Sequence, residues 1–237
     1  MSVTPISIPT SVGPARVHIH PGGTRARGPV PVVVLGHGAG GGIGARDLSA
    51  LASNLPAEGI TVVLVEQPWR VAGRRVASAP AQLDRAWTEI LAHPDVAGLR
   101  TRGSRSAPLF VGGRSAGARV ACRTALAVQA DGVVALAFPL HPPGRPDRSR
   151  ADELIGAGVR TLVVQGDRDP FGNAADLPPG PLVVRVPFAD HGLAVPKSAP
   201  VTQGEILALI VDAVANFVGT REERAAGPRS PGRVRDA

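Results

Sequence analysis

Val111-Gly112-Gly113-Arg114-Ser115-Ala116-Gly117-Ala118 is the stretch from which the rest of this chain is read. The apolar run Pro108-Leu109-Phe110-Val111 leads into it, and an alanine-rich, helix-prone run from Ala118 to Val128 leads out. Gly113-Arg114-Ser115-Ala116-Gly117 fits G-x-S-x-G, a tight strand-to-helix turn that raises a serine hydroxyl above a sheet. Backbone crowds such a turn so closely that a Cβ at either glycine is expected to clash. The helix that follows points unpaired N–H groups towards the serine, where negative charge would develop.

Working outward, the periodicities alternate. Ile6 and Ile8, then Val17 and Ile19, alternate with polar or small residues across Ser11-Val12-Gly13-Pro14, as in an antiparallel hairpin at a sheet edge. Val30 to Leu35 is a continuous β-branched run, the mark of a strand buried on both faces, and Ile60 to Val65 reads as a buried strand too. Leu48, Leu51, Ala52 and Leu55 recur at helical spacing, as do Leu83, Ala86, Trp87, Ile90 and Leu91. Beyond the serine turn come strands at Val133 to Phe138, Thr161 to Gln165 and Leu182 to Val186. A short helix at Ala151 to Ala157 and a closing helix from Ile206 to Phe217 complete the pattern. Repeated β-α-β units predict an α/β fold, a mostly parallel sheet with helices on both faces and an N-terminal antiparallel hairpin. Residues 1–219 are expected to form a single domain, and 220–237, rich in Arg, Gly and Pro, a disordered basic tail.

Composition narrows the function. Hydrophobic residues make up 43% of the 237 positions but aromatics only 3%, so the core is built from Val, Leu, Ile and Ala. That scarcity disfavours a nucleic-acid binder that stacks bases on aromatic rings. The net charge of +7 is nearly all arginine, scattered rather than blocked, so no nucleic-acid partner is expected. No apolar run nears the ~20 residues that span a bilayer, and Met1 to Thr10 lacks the basic and apolar regions of a signal peptide. Cys122 is the sole cysteine, which rules out an internal disulfide and suits a cytoplasmic protein without a membrane partner.

A serine hydroxyl attacks a carbonyl only when a base takes its proton, and a histidine base needs a carboxylate to hold its tautomer. In proteins with this serine turn the chain order is Ser, then Asp or Glu, then His. Gly166-Asp167-Arg168-Asp169-Pro170-Phe171-Gly172 follows the Thr161 strand, and Phe188-Ala189-Asp190-His191-Gly192 follows the Leu182 strand. Both loops leave carboxyl ends of strands, the edge where Ser115 lies and where open α/β sheets place their sites. Ser115, Asp169 and His191 are therefore the candidate catalytic residues. Asp169 is preferred to Asp167, which directly follows the strand and suits bonding to turn amides. Asp190 adjoins His191 too closely in sequence to reach its ring and is read as steadying the loop. The oxyanion donors expected are the amides of Ala116 and of Ala39, with Gly40 second, in Gly36-His37-Gly38-Ala39-Gly40-Gly41-Gly42. His37 is read as bracing that loop. Trp69, Arg70, Arg74 and Arg75, after the Ile60 strand, are candidates to hold a substrate carboxylate, against the plainer reading of solvated arginines. Arg114, inside the turn, is assigned either to substrate or to bracing neighbouring loops. No metal and no cofactor is expected.

Over Val12 to Phe217 these pieces resemble the α/β-hydrolase superfamily. Gly36 to Gly41, Gly113 to Arg119, Pro139-Leu140-His141-Pro142-Pro143-Gly144 and Gln165 to Gly172 look like one branch of it. That branch holds small dienelactone-hydrolase-like proteins related to a testis-expressed hydrolase-like protein and to a subunit of a histone-acetyltransferase complex. The resemblance implies Ser115 as nucleophile, Asp169 as acid and His191 as base, acting on a small ester. Dienelactone hydrolases proper use a cysteine nucleophile, so their substrate is not carried over. Only His141 to Arg150 separates the Val133 strand from the next helix, which leaves no room for a large lid. Two other readings share the same letters. Gly36 to Gly41 also satisfies G-x-G-x-x-G, with Glu66 where a ribose-binding acid would fall in a dinucleotide-binding oxidoreductase. A catalytically silent interaction protein on the same fold is the other.

Overall fold

The computed structural model describes residues 4–23, 30–102 and 105–219, so the segment read as a basic tail lies outside the described residues. In chain order come β1 (Ile6–Ile8), β2 (Ala15–His20), β3 (Val32–Gly36), α1 (Arg46–Asn54), β4 (Thr61–Glu66), α2 (Pro68–Val71), α3 (Pro80–Ala92) and α4 (Pro94–Ala97). They continue with β5 (Thr101–Arg102), β6 (Arg105–Ser106), β7 (Leu109–Arg114), α5 (Ala116–Thr124), β8 (Gly132–Leu136), α6 (Ala151–Ile155), β9 (Thr161–Gly166), β10 (Leu182–Val186) and α7 (Gln203–Gly219).

Eight strands form one sheet in the order β1-β2-β4-β3-β7-β8-β9-β10. β1 pairs antiparallel with β2, and β2 with β4; every other pairing in that sheet is parallel. The expected edge hairpin is thus present, and the strands read as apolar runs are the central ones.

Strand alternation sorts the core. Val32, Val34, Val63, Val65, Val111, Val133 and Val163 point to one face, where Leu83, Trp87 and Ile90 of α3 and Val120 and Ala121 of α5 cover them. Val33, Leu35, Val62, Leu64, Phe110, Val134 and Leu162 point to the other, under Leu48 and Leu51 of α1 and Ile206, Ile210 and Phe217 of α7. Each such side chain removed from water stabilises the fold by about 1.5–3 kcal/mol before entropy is counted. Trp87, Phe110 and Phe138 are the largest side chains fully buried, and branched aliphatic residues supply most of the rest.

The order in which successive strands are added reverses at β3. β4 lies on one side of it and β7 on the other, which opens a crevice at the carboxyl ends of β3 and β7. Gly36 pairs in register with Gly113 there. No helix is inserted between β8 and α6, so the site has no helical lid from that connection. The helix after the serine turn starts at Ala116 and ends at Thr124, two residues earlier and four earlier than its sequence suggested. Ser115 itself serves as its N-cap residue, and Thr124 Oγ1 bonds back to the Val120 carbonyl near its end.

Candidate active site

Ser115 stands between the end of β7 and the start of α5 with φ 51° and ψ −108°. A left-handed φ at a residue with a side chain costs about 1–3 kcal/mol and persists only where the surroundings impose it. Here they do. The Ser115 amide donates to the Leu136 carbonyl at 2.9 Å, and the flanking glycines lie against β3. A Cβ on Gly113 would fall 2.3 Å from the Gly36 carbonyl oxygen, and one on Gly117 2.4 Å from the same atom. Both clashes expected from the motif are therefore with one backbone group.

The three distant loops meet at this point. His191 Nε2 lies 2.9 Å from Ser115 Oγ. On the other side of the ring, His191 Nδ1 lies 2.8 Å from Asp169 Oδ2. With Nδ1 protonated, the imidazole donates to the carboxylate and presents Nε2 as acceptor for the serine proton. The Asp169 side chain is fully buried, while the His191 side chain keeps 21% of its surface exposed. Asp169 is held by two further donors, the Phe171 amide at 2.8 Å to Oδ1 and Gln165 Nε2 at 3.0 Å to Oδ2. The Phe171 ring packs on the His191 ring with centroids 4.2 Å apart. Asp167 is not in this group: its Oδ1 accepts from Arg185 Nε at 3.1 Å on β10. Asp190 Oδ1 accepts from the amides of Gly192 and Ala194 at 2.7 and 3.0 Å, which ties the His191 loop as its sequence position suggested.

Ala116 is the first residue of α5, so its N–H has no intrahelical acceptor. Ala39 and Gly40 form an exposed turn after β3. The preceding Gly38 brings that turn to the serine: a Cβ there would lie 3.4 Å from Ser115 Cβ. His37 braces the turn from beneath. Its Nδ1–H donates to the Gly38 carbonyl at 2.9 Å, and its Nε2 accepts from the Gln67 amide at 3.2 Å. Burial pushes its pKa below the ordinary histidine value, which keeps the ring in this neutral form.

Arg114 links the site to the opposite face. One guanidinium nitrogen, Nη2, donates to the His191 carbonyl, and Nε lies 3.2 Å from Oδ2 of the buried Asp47 on α1. That approach is a charge contact without hydrogen-bond alignment. Burial raises the Asp47 pKa, and the nearby guanidinium opposes the rise. Arg114 is thereby occupied in bracing, the second of the two roles its sequence allowed.

Two other substrate-binding candidates are corrected. Trp69 is 2% exposed and packs edge-on to His37 at 5.4 Å, so it is a packing residue behind the turn. Arg74 lies on the exposed loop beyond α2 and bonds Ser78 Oγ at 3.0 Å. A cleft of about 620 Å³ is lined by Gly41 to Arg46, Glu66, Arg70, Arg114 and Gly192, and neither Trp69 nor Arg74 lines it. Sequence reasoning missed Gln165, Phe171 and Asp47. Gln165 carried a faint signal, a polar residue at the buried end of a strand four positions before Asp169.

An open, mostly parallel sheet with a strained serine at its switch point is the arrangement of the α/β-hydrolase fold. The family model for the alpha/beta hydrolase domain matches residues 29–219, and the chain belongs to that family. Similar solved structures include a lid-less α/β serine hydrolase from Xanthomonas campestris, with TM-score 0.64, 20% identity, and 93% of this chain and 97% of that one covered. An α/β serine hydrolase homologue from Coxiella burnetii aligns with TM-score 0.67 and 16% identity over 92% and 98% of the two chains. The esterase domain of a Rhodothermus marinus protein aligns with TM-score 0.63 and 12% identity over 92% and 100%. No helix among the described residues is long and apolar enough to cross a membrane.

Proposed function

We propose that this protein is a serine hydrolase of small carboxylic esters or thioesters, working through an acyl-enzyme. The observation that carries the reading is the unbroken line Ser115 Oγ, His191 Nε2, His191 Nδ1, Asp169 Oδ2, with spacings of 2.9 and 2.8 Å. Ser115 Oγ attacks the ester carbonyl carbon as its proton passes to His191 Nε2. Asp169 stabilises the resulting imidazolium and stays ionised. The negative oxygen of the tetrahedral intermediate is held by the Ala116 and Ala39 amides, each such donor contributing roughly 3–4 kcal/mol to the lowered barrier. Collapse breaks the ester C–O or thioester C–S bond, and His191 Nε2–H protonates the departing alkoxide or thiolate. Water then attacks the acyl-serine, His191 takes its proton, and the proton returns to Ser115 Oγ as the acid leaves.

The lid-poor rim supports small polar esters over long acyl chains. The finer kinship to the dienelactone-hydrolase-like branch rests on the four motif stretches and is part of this proposal, as is a cytoplasmic setting. A dinucleotide site is less well supported: α1 starts at Arg46, well past Gly41, and Gly38 abuts Ser115 instead of a helix start. The test is hydrolysis of 4-nitrophenyl esters and acyl thioesters of graded chain length by wild type and Ser115→Ala. Turnover of short chains that falls at least about 10³-fold in the variant supports the reading. Equal rates in both proteins would overturn it.

A further inference from the structure

The cleft is lined by Arg114 and Gly192, which directly precede Ser115 and directly follow His191 in the chain, and by Arg46 and Arg70. Arg114 is engaged by Asp47 and the His191 carbonyl. Arg46 Nη1 donates to Gln203 Oε1 at 2.8 Å, and Gln203 in turn bonds the loop after His191 through the Leu193 carbonyl and the Val195 amide. Arg70 differs. Its side chain is exposed and makes no hydrogen bond or ion pair with another described residue. It still has a defined place, because Nε and Nη2 lie 3.6 and 3.9 Å from where a Cβ on Gly42 would sit. The acid of the cleft, Glu66, has its Oε2 3.5 Å from His18 Nε2.

An arginine without a partner among the described residues, held over a glycine rim in the cleft that also takes in Arg114 and Gly192, is suited to bidentate capture of a carboxylate. We infer that Arg70 binds a second carboxylate on the substrate, so that the preferred substrates are half-esters or half-thioesters of dicarboxylic acids. This rests on the hydrolase reading above and adds the charge of the acyl group to it. The cleft wall fits such a ligand. Gly41, Gly42 and Gly44 supply backbone without bulk, and Ile43 and Ala45 are the apolar side chains available to an acyl chain, too few to reward a long neutral one.

The test compares 4-nitrophenyl hydrogen adipate with 4-nitrophenyl hexanoate, an acyl chain of equal length without the acid. Wild type should show a kcat/KM ratio about 10- to 100-fold in favour of the carboxylate ester, expressed mainly through KM. Arg70→Ala should bring the ratio near one, Arg70→Lys should restore it in part, and Arg74→Ala should keep the wild-type ratio. A wild-type ratio near one, or a ratio unmoved by Arg70→Ala, would overturn the inference while leaving the hydrolase reading standing. A second arm needs no turnover: calorimetric titration of adipate into Ser115→Ala and into Ser115→Ala with Arg70→Ala. Saturable binding at least about tenfold weaker in the double variant supports Arg70 as the carboxylate site. Equal binding, or none in either protein, refutes it. If neither ester is hydrolysed, the hydrolase reading fails and the titration alone decides the role of Arg70.

Discussion

Arg114 donates a hydrogen bond to the main-chain carbonyl of His191, joining the residue before the serine to the residue that would activate it. The same guanidinium lies 3.2 Å from Oδ2 of Asp47, whose side chain is completely buried. Truncating Arg114 therefore removes two constraints together: the base loop loses a donor, and a buried carboxylate loses its counter-charge. Arg114→Met is expected to cost about 3 kcal/mol of stability in urea unfolding, as for a buried pair broken on one side. Adding Asp47→Asn should recover a large part of that loss. If Arg114→Met is as stable as wild type, the Asp47 contact carries no weight.

His37 couples the turn after β3 to pH. Burial lowers its pKa, so the folded state holds it neutral where the unfolded chain, with a value near 6.5, already binds a proton. A lowered folded value gives stability that is present above about pH 6.5 and lost as pH falls towards the folded value. The stability gap between wild type and His37→Phe, read by urea titration, should be widest near about pH 7.5 and narrow as pH falls to about 5. A gap that widens on acidification would contradict the neutral, doubly bonded ring.

Gly113 and Gly40 make a paired test of backbone crowding. A methyl at Gly113 meets the Gly36 carbonyl oxygen at 2.3 Å, whereas one at Gly40 meets nothing within 4 Å. Gly113→Ala should destabilise by at least about 3 kcal/mol or prevent folding, and Gly40→Ala should stay within about 0.5 kcal/mol of wild type. Thermal melts of the two proteins suffice. Similar melting of both would mean that β3 and the serine turn are not in close contact.

Gln165 holds the acid. Its Nε2 reaches Asp169 Oδ2 at 3.0 Å and the carbonyls of Phe138 and Gly172 at 3.2 and 2.6 Å, so one amide pins the carboxylate to two loops. Gln165→Leu should lower kcat about tenfold with little change in KM, because the carboxylate that orients His191 loses one of its anchors. A loss confined to KM, or no loss in kcat, would mean that Gln165 does not position the acid.

How much of this could be read from the letters depends on the residue. The serine turn is legible because two glycines at fixed spacing answer to one steric cause, the Gly36 carbonyl. The strands are legible because branched runs buried on both faces have few other interpretations, though β3 and β4 start one or two residues later than their apolar runs. The order of strands is not written locally, since β4 and β7 flank β3 only through crossover connections. Trp69 and Arg74 were misplaced for a related reason. Chain position puts them at the catalytic edge, but depth and direction come from α2, a single Pro-led turn too short for any periodicity. That turn buries Trp69 under His37 and leaves Arg70, next along the chain, in the cleft. The sequence favours Asp169 over Asp167 only on turn chemistry, and the geometry separates them outright: one faces His191, the other Arg185 on the edge strand.

The most direct measurement is covalent labelling with a fluorophosphonate probe, with the adduct located by peptide mass mapping. An activated serine should carry the label on Ser115 alone, at a rate reduced at least about 10³-fold in His191→Ala and strongly in Asp169→Asn, with none in Ser115→Ala. Labelling at another residue, or a rate on Ser115 indifferent to loss of His191, would contradict the serine-histidine-aspartate line at the centre of this protein.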